Sequence, residues 1–200
     1  MKPITLLIPV AMLTLVGAGT AMQAQDVRYG LQVHGNLPMG DLKNAADSKV
    51  GFGGGAHMTI DFGDGHSLRP RLDYVVYPEN KAFTDAAFGS SAYGKSKVSD
   101  ASLGFDYIYD FGGKDGGFYL TAGLAWHRWK AQYDYAVKVG NITVSDSSSS
   151  TSSKVGAAAG AGFNFNPTFG VEARYVATKF QQGTADRTAG AVQVAALYRF

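Results

Sequence analysis

The residues able to do chemistry in this sequence are histidines, acids and bases that recur at alternate positions. Each within its own alternating run, His34, His57 and His127 fall on the same polar side as Arg28, Asp61, Arg69, Arg71, Asp73, Asp100, Asp106, Asp110, Lys154, Glu172, Arg174 and Arg199, while His66 sits at a turn. Hydrolysis at a histidine needs a nucleophile and often an orienting group within reach. His127 is followed by Arg128 and Trp129, and His34 by Gly35 and Asn36, so neither has a serine two residues on. No metal-ligand pair stands at a useful spacing. Gly51 to Gly55 is glycine-rich but lacks the Lys-Ser/Thr that would follow in a phosphate loop, which favours close backbone packing. The acids and bases are interleaved, so the chemistry expected of them is mutual neutralisation in a confined space.

The rest of the composition narrows the class. Charged residues make up 17% of the 200, low for a soluble domain, and the formal net charge of +2 argues against nucleic acid. The chain has no Cys, which excludes a disulfide scaffold and a lipidated N-terminal cysteine.

Residues 1–24 read as a secretory signal peptide, leaving a domain over 25–200. Lys2 supplies the positive start, Ile4 to Val16 the apolar stretch, and Gly19-Thr20-Ala21 or Met22-Gln23-Ala24 the cleavage site. The apolar run of ~13 residues falls short of the ~20 that a membrane-spanning helix needs. Nothing later resembles such a helix, so a membrane-embedded mature chain must be a closed barrel.

From Asp26 onward the apolar period is two. Tyr29, Leu31 and Val33 alternate with Arg28, Gln32 and His34. Phe52, Ala56, Met58 and Ile60 oppose Gly53, Gly55, His57 and Asp61. Leu68, Leu72 and Tyr74 oppose Arg69, Arg71 and Asp73. Leu103, Phe105 and Tyr107 oppose Ser102, Gly104 and Asp106. Leu120, Leu124 and Trp126 oppose Tyr119, Thr121 and His127. Similar runs occupy Lys154 to Phe165, Phe169 to Thr178 and Val192 to Phe200, giving eight candidate strands. Each can cross a bilayer, which takes ~9–11 tilted residues.

The connections alternate in length. Gly63-Asp64-Gly65, Gly112 to Gly116 and Asn166-Pro167-Thr168 are short turns. Leu37 to Lys49, Tyr77 to Lys97, Lys130 to Ser153 and Phe180 to Gly190 are long polar connections, with Ser145 to Ser153 a loop tip. Tyr133, Tyr135, Val137 and Val139 still alternate, which predicts a fifth strand extending past the membrane. Every second strand closes alike, on Ile60-Asp61-Phe62, Tyr109-Asp110-Phe111, Phe163-Asn164-Phe165 and Tyr198-Arg199-Phe200. Aromatic rings at that level predict an interfacial girdle on the short-turn side. Glycine and charge on one face, with Leu, Val and Phe on the other, predict a polar lumen and a lipid-facing exterior.

The ending, with Phe200, Tyr198 and alternating apolar residues back to Val192, resembles the C-terminal assembly signal of outer-membrane barrels. The chain from Asp26 resembles the small eight-stranded class of OmpA-type barrel domains, OmpX and opacity-type surface proteins. The resemblance implies an all-β, eight-stranded, antiparallel up-and-down transmembrane barrel with short periplasmic turns and long extracellular loops. It implies a bacterial outer-membrane location and assembly machinery that reads Tyr198 and Phe200; in one departure from OmpA itself, the chain stops at the barrel, so the peptidoglycan-binding domain that follows there is expected to be missing. Lipid A deacylases share the architecture and carry a His and a Ser two residues apart, which this sequence lacks.

The expected function is a non-enzymatic barrel whose surface loops serve adhesion, interaction or membrane integrity. No cofactor, metal site or catalytic residue is assigned, and the barrel is expected to be a monomer. Arg28, Asp61, Arg69, Arg71, Asp73, Asp106, Asp110, Glu172, Arg174 and Arg199 form the expected lumen ion-pair network. Lys43, Lys49, Lys81, Lys95, Lys97, Lys130 and Lys138 lie in or beside the long connections, suited to the phosphates of lipopolysaccharide. The alternatives are a narrow solute channel, disfavoured because eight strands leave a lumen just filled by side chains, and a lipid A-modifying enzyme.

Overall fold

Strands β1 (Asp26–Gly40), β2 (Gly51–Gly63), β3 (His66–Ala86), β4 (Ser90–Asp110), β5 (Gly117–Val139), β6 (Ile142–Asn164), β7 (Phe169–Gln182) and β8 (Ala185–Arg199) follow one another around a closed ring. The computed structural model describes residues 26–86, 90–112, 116–139, 142–182 and 185–200. The expected signal peptide lies outside them. Every neighbouring pair is antiparallel, and β1 closes on β8 from Gly30↔Arg199 to Gly40↔Ala189. Closure gives each backbone polar group in the wall a partner, which lipid cannot supply.

The alternation sets the faces. Leu72, Leu120, Leu124 and Trp126 point outward and are exposed, while Arg69, Arg71, Tyr119, Thr121 and His127 point inward and are buried. Side chains of successive strand residues leave opposite faces, so one parity meets lipid and the other fills the lumen. Phe62, Phe111, Phe165 and Phe200 all stand exposed at the short-turn end, forming one aromatic rim. At the first turn Asp64 and Gly65 both take positive φ (52° and 81°), the geometry of a tight two-residue hairpin.

At the other end the structure departs from the expected loops. Much of Tyr77–Lys97, Lys130–Ser153 and Phe180–Gly190 is hairpin rather than irregular chain. The serine-rich stretch is part of β6, paired with β5 without a break from Gly117↔Asn164 to Val139↔Ile142. Serine has little strand preference of its own. The conformation is imposed by β5, whose Tyr133, Tyr135 and Val137 carry the strand pattern.

These extensions are uneven. The β2–β3 ladder stops at Phe52↔Val76, and the β6–β7 ladder at Ala157↔Ala177. Above those levels β3, β4, β5 and β6 continue as a four-stranded blade. The connection after β1 instead folds inward, through the short helix α1 (Asp41–Ala45), which buries Leu42.

Candidate functional site

The lumen is layered. Its periplasmic mouth is a cavity of about 530 Å³ lined by Arg28, Asp61, Asp110, Tyr119, Asn164 and Arg199, among others. Several of its charges serve the turns. Asp61 accepts the Gly63 N–H at 2.8 Å and Asp110 the Gly112 N–H at 2.9 Å. Asp110 also accepts from Asn164 at 3.1 Å, and Arg199 donates to the Asn164 side-chain carbonyl. Arg28 meets Asp26 at 3.4 Å. Arg28, Asp61, Asp110 and Arg199 were expected in one lumen network, but Asp110 and Arg199 meet through Asn164 and Arg28 lies at the mouth. Where a chain reverses, unpaired backbone N–H groups compete for the nearest carboxylate.

The middle layer brings six of the expected residues together. Arg69 bonds Glu172 at 2.6 Å and Asp106 at 3.0 Å. Arg71 bonds Asp73 through its Nε at 2.6 Å and Asp106 at 3.2 Å. Arg174 reaches Asp106 at 3.2 Å and lies 3.9 Å from Glu172. Three guanidinium groups thus balance three carboxylates, all buried. Tyr119 donates to Glu172 at 2.9 Å, Gln32 donates to Asp73, and Gln193 accepts from Arg174. Charges survive in such a place only when paired and further hydrogen-bonded. The layer ties β1, β3, β4, β5, β7 and β8 across the lumen.

The glycines of the same face make room for these side chains. A Cβ on Gly51 would stand 2.7 Å from the Tyr77 ring, and one on Gly162 would collide with Tyr119. That is the packing role expected of the glycine-rich β2.

The histidines occupy separate places. His34 Nδ1 lies 2.7 Å from the Asn36 amide and 2.9 Å from that of Gln193. His57 is buried, and neither ring nitrogen has a hydrogen-bond partner among the described residues. His66 bonds the Tyr107 hydroxyl at the periplasmic rim. His127 Nδ1 meets Asp100 at 2.7 Å, so Asp100 engages a histidine rather than an arginine. Lys154 stands opposite His127 in the ladder. An acid–histidine pair is two thirds of a hydrolytic triad. His127 Nε2, however, has no hydrogen-bond partner among the described residues, so no nucleophile is engaged there.

The extracellular layer is apolar and was not anticipated. Leu42 and Ala46 pack inward against Val75, Tyr77, Val98, Trp129, Phe180, Ala189 and Ala191. Trp129 stacks over His127 with ring centroids 6.2 Å apart and near Phe180 at 6.1 Å. Between this plug and the ion pairs lies a cavity of about 30 Å³. The signal was present in the parity: Val75 and Tyr77 continue Arg71 and Asp73, Trp129 continues His127, and Phe180 continues Thr178.

A filled polar lumen inside an apolar, aromatic-rimmed wall agrees with the result of comparison with known families. The outer membrane protein beta-barrel domain matches residues 8–200. The chain belongs to that family. It is an outer-membrane protein of bacteria. Among solved structures it is similar to Ail, the attachment invasion locus protein of Yersinia pestis, in complex with the heparin analogue sucrose octasulfate. That likeness has 16% identity and a TM-score of 0.54, over 88% of this chain and 99% of the other. Neisserial surface protein A is similar at 16% identity and a TM-score of 0.49, over 89% and 100%. A major outer membrane protein from Thermus thermophilus is similar at 12% identity and a TM-score of 0.46, over 88% and 100%. No curated protein matches the chain.

Proposed function

We propose that this outer-membrane barrel is non-enzymatic and uses its blade as a contact surface at the cell exterior, for adhesion or interaction with other surface molecules. The observation that carries this reading is the free edge of β6. From Ile142 to Lys154 no described strand pairs with β6 on the side away from β5. An unpaired edge offers a row of N–H and C=O groups to any extended chain. The opposite edge, β3, is blunted by Pro78, by an irregularity between Tyr77 and Asn80, and by Lys49, whose ammonium donates to the Glu79 carbonyl at 2.6 Å. The β6 edge carries neither a proline nor a register irregularity.

The test replaces residues 134–147 with an Asn-Gly turn, shortening the blade above the membrane. Cells bearing the variant should lose binding to matrix-coated surfaces while the barrel keeps its heat-modifiable migration. Equal binding by both forms would sink the reading.

The mature domain in this reading is 25–200, released from its signal peptide and functional as a monomer. Tyr198 on the last strand and Phe200 just after it, both exposed, are what the assembly machinery would read. The narrow channel is the second reading, and the mouth cavity of about 530 Å³ favours it. The ion pairs and the plug stand across its path. Planar-bilayer recordings of the intact protein should accordingly show no conductance steps.

A further inference from the structure

We infer that Lys97, Arg128 and Lys130 form a binding site on the outer wall for phosphate groups of the outer-leaflet glycolipid. The unbroken β4–β5 register fixes their placement. Ala101 stands opposite Arg128, Ser99 opposite Lys130, and Lys97 opposite Gln132. Arg128 and Lys130 share the parity of Leu124 and Trp126, and Lys97 that of Leu103 and Phe105, so all three side chains leave the lipid-facing side and are exposed. Same-face neighbours along a strand and diagonal neighbours across a ladder lie about 7 Å apart. Three cations therefore share one small patch.

Neither Lys97, Arg128 nor Lys130 forms an ion pair among the described residues. The nearest outward acids serve Lys95 instead: Asp134, beyond Gln132, stands opposite it, and Glu79, at the β3 irregularity across from Lys97, has its carboxylate 4.0 Å from the Lys95 ammonium. The flanking positions on β6 are hydroxyls, Ser153 opposite Arg128 and Thr151 opposite Lys130, both exposed. This contrasts with the lumen, where Arg69, Arg71 and Arg174 each meet carboxylates. Like charges left together on a wall point to an anion that comes from outside.

Height selects the source of that anion. Trp126 is exposed on the same strand, two residues below Arg128, and an indole favours the membrane interface. At ~3.3 Å per residue and the usual strand tilt, Arg128 and Lys130 rise roughly 5 and 10 Å above it. The headgroup layer is about 5–8 Å thick on each side of a bilayer. Arg128 thus lies within the headgroup layer and Lys130 just beyond its outer edge, within a lysine side chain's length of lipid phosphates. A guanidinium can grip a phosphate through two hydrogen bonds, and the two ammonium groups add point charges.

The experiment uses the full barrel in nanodiscs of phosphatidylcholine, with or without lipopolysaccharide, and reads the thermal unfolding midpoint. Lipopolysaccharide should raise the midpoint of the unaltered protein. The K97Q/R128Q/K130Q variant should match it in phosphatidylcholine alone but lose more than half of the rise. The R28Q variant, altered at the periplasmic mouth, should keep the rise. Should the triple variant fail to assemble, K130Q alone should lose part of it. Dephosphorylated lipopolysaccharide should raise the midpoint far less, and inorganic phosphate added to phosphatidylcholine discs should not raise it. A full rise in the triple variant, or an equal rise with dephosphorylated lipid, overturns the assignment.

Discussion

At mid-barrel the lumen holds Arg69, Arg71, Arg174, Asp73, Asp106 and Glu172, whereas at its extracellular end the same inward parity delivers Tyr77, Trp129 and Phe180 around Leu42. Both layers are buried and both block the lumen, but by different physics. The charged layer is directional: each group is held by named partners, and removing one strands the others. The apolar layer is held by area and shape, and α1 that completes it is only five residues long. The first should therefore be rigid and unforgiving. The second should yield locally before the wall does.

The contrast breaks most visibly at Glu172. Glu172→Ala leaves Arg69 with Asp106 alone and Tyr119 without its acceptor. Removing one partner of a buried pair costs roughly 3–5 kcal/mol. Urea unfolding in detergent should show that loss. A loss below about 1 kcal/mol would mean that water or Asp106 replaces the carboxylate. For scale, a lysine at Leu120, on the lipid face opposite Tyr109 of the short-turn girdle, is expected to cost less than the ~2–4 kcal/mol of a midplane lysine. Normal heat-modifiability in Leu120→Lys would contradict the facing of β5.

The plug should respond more gently. Leu42→Ala removes the most buried apolar side chain of the cluster. Core substitutions of this kind cost ~2–5 kcal/mol, and the low end applies where the site can collapse. The loss should appear as faster amide exchange in α1 and at the top of β8, with the mid-barrel amides unchanged. Uniform acceleration through the barrel would show that the two layers are one cooperative unit. Conductance should stay at background in Leu42→Ala, because the ion pairs still stand below.

The same comparison shows what was legible in the sequence. The faces could be read because the period is two and polarity follows it: Arg69 and Leu68, or Asp106 and Phe105, differ in kind as well as position. The partners could not. Nothing in the spacing of Arg69 and Glu172, 103 residues apart, says that they meet, because strand register and tilt decide it. Asp61 and Asp110 shared the lumen parity, yet each accepts from a turn amide, a local competition that alternation does not encode. Tyr77 and Trp129 were hidden for the opposite reason. An apolar residue at an inward position breaks the polarity rule, and only its parity betrays it. The Ser145–Ser153 strand was the least legible, since its conformation belongs to the β5 residues opposite.

The smallest expected effect lies in that strand. Ser149 stands opposite Gln132, well above the end of the β6–β7 ladder at Ala157. Ser149→Pro removes one N–H and fixes φ at a value the edge of a sheet tolerates. The Ser149 amide shares the parity of Phe165, which donates away from β5 to Phe169 at 3.0 Å, so it points to the free edge, no ladder bond is lost, and global stability should change by less than about 0.5 kcal/mol. Ser148→Pro then removes an amide that faces β5, so it should loosen the blade while Ser149→Pro does not. Amide exchange at Tyr133 and Tyr135 reads the difference. Equal protection in the two variants would mean that β5 holds the blade without help from β6, leaving the edge free to pair elsewhere without disturbing the barrel beneath.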